Sequence, residues 1–165
     1  MLVGNILPMS SRSKKLFGIG AGSELAPSVR AFRTTLVLAQ KLRYEMDERL
    51  RADGLTTQQA ALITAVKAMG KPSLAEAAAA LGSTHQNVAQ IVAALQRKEL
   101  LAVEPDPADK RRKLLSATNH SSAYWRERDA GDVAAIDDWF ADLSPAELET
   151  FCELAERVIE RVGRD

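Results

Sequence analysis

Leu81-Gly82-Ser83-Thr84-His85-Gln86-Asn87-Val88, with Leu101-Ala102-Val103-Glu104-Pro105-Asp106-Pro107-Ala108-Asp109-Lys110-Arg111-Arg112-Lys113-Leu114-Leu115-Ser116-Ala117 downstream of it, decides how this chain folds. Gly82 stands between two short helical patterns, and it can take the left-handed backbone that a sharp turn between helices needs. The second run is two extended segments, Leu101 to Glu104 and Lys113 to Ala117, around a tip of prolines, aspartates and Lys110-Arg111-Arg112. Proline and aspartate favour a turn over a continued helix. A helix, a Gly turn, a second helix and a charged hairpin predict a winged helix-turn-helix, a shape that sets one helix in the DNA major groove. The expected fold class is mainly α with a small β-wing: a winged helix-turn-helix plus N- and C-terminal dimerisation helices.

The helix after Gly82 is the expected reader. It runs from Thr84 to about Lys98, with Val88, Ile91, Val92 and Leu95 as its buried stripe. Thr84, Gln86, Asn87, Gln90 and Arg97 are left exposed or partly so. Asn and Gln can pair in bidentate fashion with adenine N6 and N7, and Ser83 with Thr84 suits a phosphate at the helix start. Taken alone, such amides are ordinary solvent-facing residues; the Gly turn before them and the hairpin after them favour base contact. His85 is open between the surface and DNA. Lys110, Arg111 and Arg112 at the hairpin tip are placed to enter a neighbouring minor groove. Asp109 is expected to hold the Arg111 guanidinium by a charge-assisted bond.

Working outward, four runs read as capping boxes: Thr56 with Gln59, Ser73 with Glu76, Ser83 with Gln86, and Ser144 with Glu147. They place helices over Thr57 to Met69, Leu74 to Leu81, Thr84 to Lys98 and Pro145 to Val162. A long helix is expected from Pro27 to Ala52, stopped by Asp53-Gly54, with Phe32, Leu36, Ala39, Met46 and Leu50 on one stripe. Another is expected from Ser121 to Phe140. The organisation that follows is a flexible basic arm over 1–26, a dimerisation helix over 27–54, the winged helix-turn-helix over 55–118 and C-terminal dimerisation helices over 119–165.

The chain has 165 residues with 22 basic and 22 acidic side chains, so no net field announces a nucleic acid. The distribution is more telling. Residues 1–43 hold seven Lys or Arg against one acid, and residues 119–165 hold five against twelve. A basic front and an acidic back suit a protein that offers one face to phosphates. Arg12, Lys14 and Lys15 in the arm carry part of that charge. Cys152 is the single cysteine, which forbids an intrachain disulfide and agrees with the cytoplasm. No apolar run approaches the roughly 18 residues of a membrane span. No cofactor, metal or enzymatic role is expected, since no nucleophile–base pair, ligand cluster or phosphate-cradling Gly loop is evident.

The run from Asp106 to Thr118, with its Asp-x-Arg and closing Leu-x-x-Thr, resembles the wing signature of MarR-type regulators. Leu55-Thr56 with Gln59 is similar to the start of that family's second helix, and Leu95 to Leu101 to its recognition-helix exit. The resemblance covers roughly Pro27 to Val162. It implies a homodimeric DNA-binding regulator, usually a repressor on a palindromic operator, released by a small, commonly aromatic or phenolic effector or by thiol oxidation. By position it makes Ser83, Thr84, Gln86, Asn87 and Gln90 recognition-helix contacts, and Lys110 and Arg111 wing-tip contacts, with Asp109 orienting Arg111. The chain departs from the pattern in places. Glu99 stands where the family often has Gly, so that helix end is expected to be capped differently. Val103 and Glu104 replace an Arg at the start of the wing. The alternative from another class is a winged-helix protein–protein adaptor that binds no DNA.

Overall fold

The computed structural model of the chain describes residues 17–20 and 22–162; the expectations for Arg12, Lys14 and Lys15 lie outside the described residues. Helix α1 spans Pro27–Leu50 and closes through a short 3-10 turn, Arg51–Asp53, at Gly54. Helices α2 (Thr57–Met69), α3 (Leu74–Ala80) and α4 (His85–Arg97) follow. Strands β1 (Leu101–Pro105) and β2 (Lys113–Ala117) then pair antiparallel, with Val103 opposite Leu115. Helices α5 (Asn119–Trp139) and α6 (Pro145–Val162) end the described chain. The fold is mainly helical with one two-stranded wing, as expected.

The chain divides into two compact units, 1–117 and 118–165. In the first, Leu62, Ile63 and Val66 of α2 meet Val88 and Leu95 of α4 in a core that excludes water completely at each of these side chains. The helix stripes produce this by the 3.6-residue period. Ala77 and Ala78 are the buried residues of α3. Their small size lets α4 lie close to it.

Side chains fix where these helices begin. Thr56 and Gln59 form a reciprocal capping box on α2, as do Ser73 and Glu76 on α3. Asp47 on α1 adds a lateral tie, accepting from the Thr57 backbone N–H at 2.6 Å. The expected box at Ser83 and Gln86 does not form. Thr84 is the N-cap of α4, and its hydroxyl accepts from the Asn87 N–H at 3.2 Å. Ser83 is committed elsewhere: its backbone N–H donates to Ala78 O while that of Gly82 donates to Ala79 O. Those two bonds are the Schellman closure of α3, with Gly82 left-handed at φ 56°. Only the next residue is free to begin a new helix.

The end of α4 corrects a second expectation. Glu99 takes the left-handed conformation itself, at φ 57°, the one non-glycine residue to do so among the described residues. Leu100 N–H donates to Leu95 O and Glu99 N–H to Gln96 O. The helix is therefore capped as a glycine would cap it, and Leu100 folds back into the core.

The second unit is a helix pair. Thr118 caps α5, so that helix starts two residues earlier than expected. Ser144 and Glu147 form the expected reciprocal bonds at the start of α6. The Phe140 and Phe151 rings lie 6.3 Å apart. None of the α6 side chains is buried within the chain, although Phe151, Leu154, Val158, Ile159 and Val162 share its apolar face.

Candidate nucleic-acid interface

The first turn of α4 presents polar side chains because its apolar period starts at Val88. Thr84, His85, Gln86 and Gln90 are exposed, while Ser83 and Asn87 are half-buried. Asn87 Nδ2 donates to Ser83 Oγ at 2.8 Å. That bond fixes the amide against the turn before the helix. Its Oδ1 and its second amide hydrogen have no such constraint, and an adenine edge needs one acceptor and one donor. Arg97, at the other end of α4, is also exposed.

The second strand of the wing is held to the segment that leads into α3. Leu115 N–H donates to Pro72 O at 2.8 Å, and Ser73 makes a bridge to Leu114. Lys71 Nζ lies 3.0 Å from Glu104 Oε2, so the acid at the wing's first strand neutralises a cation of the preceding turn. The hairpin loop is closed by its own backbone. Asp106 N–H donates to Arg112 O, and Arg112 N–H donates to Asp109 O. Asp106 Oδ1 accepts from the Ala108 N–H at 2.8 Å, an Asx turn that starts the tip.

Three cations sit at this tip, and the structure treats them differently. Lys110, Arg111 and Arg112 are all exposed. Arg112 Nη2 donates to Glu76 Oε2 on α3 at 2.6 Å, and its Nε lies 3.8 Å from Asp106 Oδ2. Arg112, expected among the DNA contacts, is thus ion-paired while part of its side chain stays exposed. Asp109 also differs from expectation: its Oδ1 accepts from the Arg111 backbone N–H at 2.9 Å, and the tie is to the main chain, not to the guanidinium. Asp109 shapes the turn on which Arg111 stands.

Glu76 collects these forces. Its Oε2 accepts from the Ser73 N–H and hydroxyl as well as from Arg112. The Ser73 backbone bond, and then Arg112, hold its carboxyl at about 2, well below the usual carboxylate range. The same contact raises the Arg112 pKa. Sequence reasoning missed Glu76 as part of this site, because its partner lies 36 residues away; only its role as a helix cap was local.

Elsewhere, two apolar hollows occur within single units. One, of about 460 Å³, is lined by Ile136, Phe140, Leu143, Leu148, Phe151 and Cys152 in the second unit. The other, of about 410 Å³, lies along α1 beside Phe17, Arg33, Leu36 and Lys41. Among the described residues, no helix is long and apolar enough to cross a membrane.

A helix-turn-helix with a cationic hairpin packed against its second helix defines a winged helix-turn-helix protein. Comparison with known proteins gives the kind. Residues 53–112 match the model of the MarR family. No curated protein matches the sequence. Solved structures agree over most of the chain. The MarR protein from Peptoclostridium difficile superposes with a TM-score of 0.75 at 16% identity, over 87% of this chain and 95% of that one. MepR of S. aureus, solved in complex with DNA, gives 0.70 at 19% identity, over 84% and 99%. The PcaV transcriptional regulator of Streptomyces coelicolor, solved with its natural ligand, gives 0.64 at 25% identity, over 74% and 89%. Residues 53–112, from the turn before α2 to the wing tip, are thus similar to the MarR family, and the fold is that of solved MarR-type regulators.

Proposed function

We propose that this protein is a sequence-specific DNA-binding transcriptional regulator that acts as a homodimer on a palindromic operator, most simply as a ligand-responsive repressor. The observation that carries this reading is the joint exposure of the α4 amides Gln86 and Gln90 and of the tip cations Lys110 and Arg111, on elements packed into one unit. Ser83, Thr84 and Asn87 complete the reader's contact set, with Thr84 near the free N–H groups of the first turn. In this reading Gln86, Asn87 and Gln90 meet base edges, Lys110 and Arg111 meet phosphates or the minor groove, and the two copies of α4 sit about 34 Å apart.

The dimer rests on unpartnered apolar surface. Phe32 and Leu36 on α1 are 63% and 54% exposed, and Val158 and Val162 on α6 are 61% and 77% exposed. Helices with such faces bury them against another element, and a second copy supplies matching faces. The domain plan that follows has residues 27–54 and 119–165 in dimerisation and 55–118 in reading DNA. Among solved relatives, MepR was captured with DNA and PcaV with a ligand, which supports a duplex as one partner and a small effector as another. An effector that binds one dimer shape better than the other shifts the protein toward it, and an aromatic acid is the class to test first.

Selection of duplexes from a random pool tests the reading. Enrichment of an inverted repeat is expected. Recovery of an unenriched pool, with no salt-sensitive duplex binding, contradicts it and favours a protein–protein adaptor, which has no duplex affinity to lose.

A further inference from the structure

The exposed wing tip carries three consecutive cations, yet one of them is turned back toward the protein. Arg112 spends its Nη2 on Glu76 at 2.6 Å and sets its Nε beside Asp106. Its backbone is engaged at both ends of the loop, through Asp109 O and the Asp106 N–H. Glu76 is equally committed, since it caps α3 through Ser73. The contact therefore joins the helix before the reader to the strand that leaves the wing tip.

We infer that Arg112 is a positioning residue: Glu76 anchors it on α3, which fixes the loop of the hairpin and leaves Lys110 and Arg111 to meet the duplex. This rests on the DNA-binding reading above. The wing's other ties, Leu115 to Pro72, Leu114 to Ser73 and Lys71 to Glu104, lie along its strands. The Arg112–Glu76 pair is the tie nearest the tip. Without it the loop beyond the Glu104–Leu114 pair is released, and the tip cations sample many positions beside the one that fits a groove. An exposed pair is weak on its own, but a loosened tip must be ordered on the duplex before its contacts form, and that entropy weakens binding.

The test uses full-length protein and a duplex chosen by selection, with Glu76→Gln, Arg112→Ala and the double variant. Gln keeps the capping box of α3 while removing the charge. Removing an acid near DNA strengthens binding if only long-range charge matters. The inference expects the opposite: Glu76→Gln weakens binding about three- to fivefold. Arg112→Ala weakens it by a similar factor without changing the slope of log K against log salt, because no phosphate contact is lost. The double variant is no weaker than either single one. Amide exchange over residues 106–115 in free protein quickens in both single variants.

A slope reduced by about one in Arg112→Ala makes Arg112 a phosphate contact and overturns the inference while the DNA reading stands. Unchanged amide exchange also overturns it, whatever the DNA result. A wild-type protein that binds no duplex overturns the DNA reading, and the positioning role with it.

Discussion

Glu76 and Arg112 lie 36 residues apart in the chain and 2.6 Å apart in the fold, and their contact closes the wing onto the helix that precedes the reader. The Glu76 carboxyl is held at about 2 by the Ser73 backbone N–H and by Arg112. A depressed carboxyl pKa stabilises the fold above its unfolded value and loses that effect as pH falls toward the folded one. Amide exchange in the hairpin should therefore be insensitive to this group from neutral pH down to about pH 5. Protection of the hairpin amides, taken relative to their intrinsic exchange rates, should fall as the solution is taken from about pH 4.5 toward 2. The same titration on Glu76→Gln should lack that component; an identical profile in the variant would show that Glu76 does not couple to the wing.

The left-handed Glu99 offers a stability prediction. An L-residue there costs about 1 kcal/mol or more, which glycine avoids, although glycine also loosens the unfolded chain. Glu99→Gly should raise stability by up to about 1 kcal/mol in urea melts, with the slope unchanged. A fall in stability would mean that the Glu99 side chain contributes more than its backbone costs.

How far the fold was legible follows the range of each interaction. The boxes at Thr56, Ser73 and Ser144 span three residues, so residue types alone located them. The reader's stripe from Val88 to Leu95 is likewise a local period. The fourth box failed because Ser83 and Thr84 are adjacent hydroxyls, and the choice between them depends on how α3 ends. Glu99 was misread because side-chain type disfavours left-handed backbone, and the buried Leu100 outweighs that preference. At the candidate site, the exposure of Lys110 and Arg111 was readable, but the capture of Arg112 by Glu76 joins distant segments and no local pattern encodes it.

Arg111 is exposed at the tip and backed by Asp109 through its own main chain. Arg111→Ala should lower the slope of log K against log salt by about one and weaken binding across all duplexes alike. Fluorescence anisotropy over a salt series measures both. A preserved slope would remove Arg111 from the interface.

Asn87 is fixed by Ser83, so the two should act together in base choice. Asn87→Ala should lose about 1–3 kcal/mol of discrimination at one position of each half-site. Ser83→Ala should relax the same position more mildly, since the amide remains but is freer to turn. If selection with either variant returns the wild-type sequence logo, Asn87 does not read a base.

The apolar face of α6 should be an interface between copies. Leu154 and Val158 are 52% and 61% exposed in the single chain. Replacing both with Glu places two charges in a dry contact and should convert the dimer to monomer by light scattering at micromolar concentration. Duplex affinity should fall with it, because two half-sites are no longer held together. A wild-type protein that is already monomeric would contradict the twofold arrangement.

In the proposed complex, α4 and the wing tip of two copies meet one duplex together. Hydroxyl-radical and methylation footprinting on the selected duplex test it most directly. Two protected major-groove patches are expected, centred about one helical turn apart, each flanked by minor-groove protection that fades in Arg111→Ala. A single protected patch, or flanks that persist unchanged in Arg111→Ala, would contradict it.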